Sequence, residues 1–188
     1  MVSILPTAFI FIASALILGF LPRGHIRSTI LLATPVLAAW HIWNLPVGIF
    51  SQVEFMGQTL DMMRVDKLSR IFGLIFCLAA FLGNLYAWHV RDLIQQLAAL
   101  LYAGAAIGAV FAGDLITLFF YWEGTALASV FLIWARKTEG SYHTGMRYLI
   151  IQITSGVILL AGTALLYRDT GSITFERMTL GSIGTWLI

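Results

Sequence analysis

Six apolar runs, each long enough to cross a bilayer as a helix, occupy most of this sequence. A helix rises about 1.5 Å per residue, so about 20 residues span a hydrocarbon core of about 30 Å. The runs cover residues 4–21, 27–45, 68–88, 93–112, 115–134 and 146–167. Of the 188 residues, 60% are hydrophobic and only 11% are charged, whereas soluble domains carry about 25% charged residues. The sequence therefore predicts an all-α integral membrane protein, a single membrane domain (1–188) with six transmembrane helices.

The connections between the runs differ greatly in length. Only the second and third runs are joined by a long segment, whose stretch VEFMGQTLDMMRVD mixes apolar and polar residues around Gly57. Such a pattern indicates two short strands and a tight turn, so we expect a short extramembrane hairpin on the membrane surface. Gly113 and Asp114 alone separate the fourth and fifth runs. These two helices must therefore be adjacent and antiparallel.

Several classes of protein and site are excluded by composition. The formal net charge of +2, with no long basic block, argues against nucleic-acid binding. Cys77 is the only cysteine, so neither an internal disulfide nor a cysteine-based metal site is predicted. None of the four histidines lies deep in a predicted helix, which argues against a haem held between helices. We expect no metal and no cofactor.

The location of the protein follows from the same runs. No basic segment precedes the first run, so we expect it to be retained as a helix and not removed as a signal peptide. Lys and Arg residues are almost equally numerous on the two sides of the predicted membrane. Those in the short odd-numbered loops have fewer Asp and Glu residues among them than those on the other side. This favours a multi-pass protein of the plasma membrane with its N-terminus outside and its odd-numbered loops in the cytoplasm.

Glu123 is the one charged residue in the fifth run, LITLFFYWEGTALASVFLIW, and lies near its middle. A charge at the centre of a membrane helix costs about 3 kcal/mol on insertion scales, and such residues usually handle protons or ions or pair with a cation. The residues that share its helical face are apolar, so no cation within the helix neutralises it. Gly124 and Ala128, four residues apart, form a ridge of small residues that would allow another helix to approach closely.

Other candidate residues lie near the ends of the fifth and sixth runs. Asp114 opens the fifth run, and His143 and Arg147 lie one turn apart at the start of the sixth. These three are candidate relay or channel-mouth residues, since His titrates near neutrality; the alternative is that they are ordinary interfacial groups. Gln152 and Ser155 share a face with Gly156 and are candidates for a polar lining, the alternative being helix packing.

Three sequence motifs resemble one known family. DLITLFFYWEGTALASVFLIW resembles the fifth helix of the antiporter-like subunits shared by respiratory complex I, membrane hydrogenases and Mrp-type Na+/H+ antiporters. RYLIIQITSGVILLAGTALLYRDTGSI is similar to the sixth helix of that family, and RVDKLSR to the start of its third. The resemblance is strongest over residues 114–173 and, within the family, is greatest to the D subunit of Mrp antiporters.

The resemblance implies a role for Glu123. It matches the acidic member of a Glu–Lys pair that gates or relays protons through a half-channel, and the Lys of that pair comes from the seventh helix. This sequence ends before a seventh helix, so 1–90 would supply the three leading helices and 91–188 part of the first half-channel repeat. We expect a second polypeptide to supply the Lys; the alternative is a truncated copy that acts as a scaffold.

Three functions are consistent with these residues and motifs. The first is a membrane subunit of a multisubunit cation/proton antiporter, which exchanges H+ for a cation such as Na+ and in which Glu123 relays protons. The second is a non-catalytic scaffold in which Glu123 pairs with a basic residue of a neighbouring subunit. The third is an ion-pumping membrane-arm subunit of a redox complex. In each case the partners are the lipid bilayer and other membrane subunits, and the chain itself is a transporter subunit and not an enzyme.

Overall fold

The computed structural model describes residues 5–22, 24–55 and 57–175, which are mostly helical. The elements in chain order are α1 (Ala8–Phe20), α2 (His25–Asn44), β1 (Gly48–Phe55), β2 (Gln58–Val65), α3 (Lys67–Tyr86), α4 (Leu93–Phe111), α5 (Leu115–Trp134) and α6 (Glu139–Thr170). A short 3-10 turn, Ala87–His89, extends α3.

Four of the described helices are long and apolar enough to cross a membrane, judged by length and composition. They are α3 with its 3-10 extension, α4, α5 and α6. α1 is apolar but has only 13 residues. α2 has 20 residues but includes the polar side chains of His25, Arg27 and His41, and does not belong to the four. The mostly helical fold is as expected, whereas six membrane spans stay a prediction.

The segment between α2 and α3 forms two antiparallel strands. Gly48 of β1 lies opposite Val65 of β2, and Phe55 lies opposite Gln58 at the other end of the pair. Met63 and Val65 are fully buried and belong to the same hydrophobic core as α1, α2, α3 and α4. The strands are therefore packed on the helices through β2, whereas their position on the membrane surface stays a prediction.

Side-chain caps fix where four of the helices begin. α3, α4, α5 and α6 are preceded by residues whose side chains accept a hydrogen bond from the backbone three residues later: Asp66, Asp92, Asp114 and Thr138. The backbone N–H of Ser69 lowers the pKa of the Asp66 carboxyl group, so this cap is ionised at neutral pH. Thr138 and Ser141 form a reciprocal capping box. α6 consequently begins about two turns before the apolar run at 146–167.

The turn between α4 and α5 is fastened to two other parts of the chain. The backbone N–H of Gly113 donates to the carbonyl of Asp61 in β2 at 2.9 Å, and that of Leu115 donates to the carbonyl of Ile173 at 3.0 Å. Asp114 also forms an isolated antiparallel bridge with Thr174. The start of α5 is thus held between β2 and the segment that follows α6.

Gly113→Ala is expected to destabilise this turn. A Cβ at this position would lie 2.5 Å from Cβ and 3.0 Å from the carbonyl oxygen of Asp61, and backbone in a paired strand cannot move away easily. Overpacking of this kind costs about 1–3 kcal/mol. The midpoint of thermal unfolding in detergent should fall. Gly83→Ala in α3 is the matched control, because a Cβ added there would have no atom within 4 Å; equal midpoints for the two variants would contradict the prediction.

Candidate functional site

Glu123 lies near the middle of α5 and points toward α6. The side chain is half-buried, but its Oε1 atom is fully buried and has no hydrogen-bond partner among residues 5–22, 24–55 and 57–175. The same atom lies against Gly156 of α6. Because buried polar atoms in folded proteins nearly always have a partner, an unpartnered carboxyl oxygen in an apolar helix requires an explanation.

The α5–α6 interface contains this carboxyl group and two further contacts. The hydroxyl of Ser129 donates to the hydroxyl of Tyr148 at 2.8 Å. The Trp134 indole packs on Gly145, and its Nε1 donates to the carbonyl of Tyr142 at 3.3 Å. Together with Glu123 and Gly156, these pairs show that α5 and α6 run antiparallel. Gly145 and Gly156 lie eleven residues, or about three turns, apart, so both occupy the face of α6 that meets α5.

The predicted ridge of small residues faces a different helix. A Cβ at Gly124 would lie 3.3 Å from Cβ of Ala105, which belongs to α4. Ala128, one turn later, is 5% exposed. The ridge therefore brings α4 close to α5, as small residues allow, but Ala105 offers no charge to Glu123.

His143 and Arg147 lie in the first turns of α6 and are exposed. Nε2 of His143 is 3.9 Å from Oε1 of Glu139, one turn earlier. His143 precedes Gly156 by thirteen residues, which corresponds to about 20 Å along the helix. The fold thus places His143 and Arg147 near one end of α6 and does not bring them to the Glu123 carboxyl group. Their relay role stays a prediction.

Gln152 and Ser155 of α6 differ in exposure. Gln152 precedes Gly156 by one turn, is half-buried and shares the face that meets α5. Ser155 is exposed. Both candidate lining residues lie within about one turn of Gly156, and Gln152 is the less exposed of the two.

Asp114 is buried and holds the start of α5. Its Oδ1 accepts from the backbone N–H of Thr117 at 2.7 Å, and its Oδ2 accepts from the Thr117 hydroxyl at 2.8 Å. Oδ2 also accepts from the backbone N–H of Asp61 at 2.7 Å. The carboxylate has three donors, and it lies nine residues, or about 14 Å, from Glu123 along α5. These contacts give it a structural role; a place in a proton path stays a prediction.

Three residues at the site were not identified from the sequence. They are Ser129, Tyr148 and, as the direct neighbour of the carboxyl group, Gly156. The eleven-residue spacing of Gly145 and Gly156 was the available signal, since it marks one helical face. In the described ranges, His, Cys, Asp and Glu side chains form no cluster of three or more that could hold a metal ion.

Comparison with known families identifies the C-terminal part of the chain. Residues 112–187 match the family described as NADH:quinone oxidoreductase/Mrp antiporter, transmembrane region. The Na+/H+ antiporter subunit A1 of Staphylococcus aureus (strain bovine RF122 / ET3-1) is 29% identical over 142 residues, which are 72% of this chain and 18% of that protein. A Staphylococcus aureus (strain JH9) protein designated antiporter subunit mnhD2 is 26% identical over 148 residues, 78% of this chain and 28% of that protein.

Solved structures with the same fold include chains of an Mrp complex and of respiratory complex I. The Mrp complex from Dietzia sp. DQ12-45-1b contains a chain with a TM-score of 0.80 and 26% identity, matched over 93% of this chain and 20% of its own length. Respiratory complex I from Thermus thermophilus with bound Aureothin contains one with a TM-score of 0.75 and 20% identity, over 93% of this chain and 39% of its own length. The chain thus spans well under half of each of these relatives. Residues 112–187 thus match the family that the sequence motifs predicted, and the Mrp chain has the same fold over most of this chain.

Proposed function

We propose that this chain is a membrane subunit of a multisubunit cation/proton antiporter in which Glu123 carries protons through a half-channel. The observation that carries the proposal is the buried Oε1 of Glu123, which has no partner in the described part of the chain and lies mid-way along a candidate membrane span. Relatives named as antiporter subunits and the likeness to the Mrp complex support the same reading.

The proposed role of Glu123 follows from the energetics of its position. A protonated carboxyl group is neutral and can lie in the apolar α5–α6 interface, whereas the carboxylate needs a nearby cation. We propose that this cation is a Lys from a further helix of the assembly, supplied by a neighbouring polypeptide. Transfer of the proton from the carboxyl group to a neutral Lys amine would create an ion pair, and reprotonation of Glu123 would break it. Exchange in membrane vesicles that carry Glu123→Gln tests this role.

The orientation in the plasma membrane is part of the proposal. The loop between α5 and α6, which includes the exposed Lys137, would face the cytoplasm, and the N-terminus would lie outside. A Lys137→Cys variant in intact cells should resist a membrane-impermeant maleimide and react only after permeabilisation. Cys77, the native thiol, is buried and gives little background. Reaction in intact cells would contradict the orientation.

A membrane arm of a redox complex is the second candidate. It is favoured by the likeness of the fold to a chain of complex I, with a TM-score of 0.75. In that case the chain would carry the ion step while electron transfer took place in other subunits. Purification of the intact assembly separates the two candidates, since flavin or iron–sulfur subunits would accompany the protein only in a redox complex.

A further inference from the structure

Gly156 is the α6 residue that lies directly against the Glu123 carboxyl group. A methyl group on Gly156 would overlap Oε1, and it would lie 2.8 Å from the carboxyl carbon of Glu123 and 3.3 Å from Cε2 of Phe119. Carbon atoms in favourable contact are about 3.5–4.0 Å apart. The carboxyl group can therefore occupy its observed position only when residue 156 has no side chain.

Steric fit alone fixes the buried end of this carboxyl group. Its Oε1 accepts no hydrogen bond from any described residue, so no donor competes with packing in deciding where the group lies. We propose that Gly156 is a positioning residue for Glu123: the missing side chain leaves the slot in the α5–α6 interface in which the carboxyl group lies. This inference rests on the proposed function and extends it from the acid to the helix that faces it.

Gly156→Ala is well suited to move the carboxyl group without separating the helices. Position 156 is in the interior of α6, where Ala is favoured over Gly by about 1 kcal/mol. The atom that the new methyl group overlaps is the end of a flexible side chain, which can rotate away. Gly145 differs, because a Cβ there would lie 2.7 Å from Cδ1 of the rigid Trp134 indole. Substitution at Gly145 would therefore disturb the helix contact itself.

Two measurements on membranes that contain the assembled complex test the proposal. N,N′-dicyclohexylcarbodiimide dissolves in the bilayer and reacts with protonated carboxyl groups, so its rate of reaction with Glu123, followed by mass spectrometry, reports access to the group. Gly156→Ala should react several-fold faster than the wild type, because the carboxyl group has left its buried slot. Exchange in the same vesicles should fall by about tenfold or more, since small misplacements of a reacting group are costly.

A second substitution distinguishes carboxyl position from a general effect on packing. Asp is one methylene shorter than Glu and ends before the added methyl group, so Glu123→Asp combined with Gly156→Ala should recover part of the exchange lost in Gly156→Ala. Gly83→Ala, a helical glycine with no atom within 4 Å of its added Cβ, should match the wild type in both measurements.

Three results would overturn the inference. The first is an unchanged labelling rate in Gly156→Ala, and the second is a loss of exchange that Glu123→Asp does not partly relieve. The third applies if Gly156→Ala fails to assemble. Glu123→Ala in the same chain removes the group that collides with the new methyl group, so assembly should return. A double variant that still failed to assemble would contradict the inference. The labelling rate does not depend on ion exchange. If Glu123→Gln lost exchange while Gly156→Ala matched the wild type in both measurements, this inference would be wrong and the proposed function would still hold.

Discussion

Glu123→Gln is expected to abolish ion exchange in membrane vesicles while the complex still assembles. The amide has nearly the same size as the carboxyl group and can pack against Gly156 in the same way, but it has no proton to release at neutral pH. Removing a group that transfers protons slows the reaction by about 100-fold or more. The measurement is Na+-dependent collapse of a pH gradient in vesicles, with the amount of assembled complex determined in the same preparation.

Glu54→Gln provides the matched control for this experiment. Glu54 is exposed in β1, so the same chemical change there should leave exchange at the wild-type level. Full exchange in Glu123→Gln would refute the proposed function. Loss of assembly would instead support the scaffold reading, because a buried cation of a partner subunit left without Glu123 would destabilise the complex by several kcal/mol, about 3–5.

Asp114→Ala is expected to destabilise the fold more than Asp92→Ala, the loss of the cap of α4. It removes the acceptor for two buried backbone N–H groups, those of Asp61 and Thr117, and for the Thr117 hydroxyl. Each buried donor left without a partner costs about 1–3 kcal/mol, so the loss of three partners should cost about 3 kcal/mol or more. The midpoint of thermal unfolding in detergent and the yield of folded protein should both fall.

Asp92→Ala is the appropriate comparison for Asp114. Asp92 caps α4 through one bond from the backbone N–H of Gln95 at 3.3 Å, and its carboxylate is 3.6 Å from Nζ of the exposed Lys137. Loss of such a cap costs about 1 kcal/mol. Equal unfolding midpoints for the two variants would contradict the structural role of Asp114. A fully stable Asp114→Ala that had lost exchange would instead support a place for Asp114 in the proton path.

The sequence predicted the elements better than the contacts between them. The lengths of the apolar runs predicted the helices α3, α4 and α5, and the residues around Gly57 predicted the turn between the two strands. α6 begins earlier than its apolar run because a capping box at Thr138 and Ser141 extends the helix through the polar residues that include His143. That start depends on hydrogen bonds and not on hydrophobicity.

The identity of the helix that faces Glu123 could not be predicted from the sequence for a related reason. Both Gly124 beside it and Gly156 on α6 are small residues suited to close packing. Only the arrangement of three helices shows that Gly124 meets α4 while the carboxyl group turns to Gly156. In the same way, Ser155 and Gln152 looked equivalent on α6, and their exposure separates them.

The three-residue turn between α4 and α5 also bears on how the chain enters the bilayer. A residue spans at most about 3.6 Å, so this turn cannot keep α5 at a distance once α4 is inserted. α4 contains no Asp, Glu, Lys or Arg, and its insertion is therefore opposed by no charge. The unfavourable transfer of Glu123 from water into the bilayer is consequently offset by the apolar surface of two helices joined as a hairpin, and not by that of α5 alone.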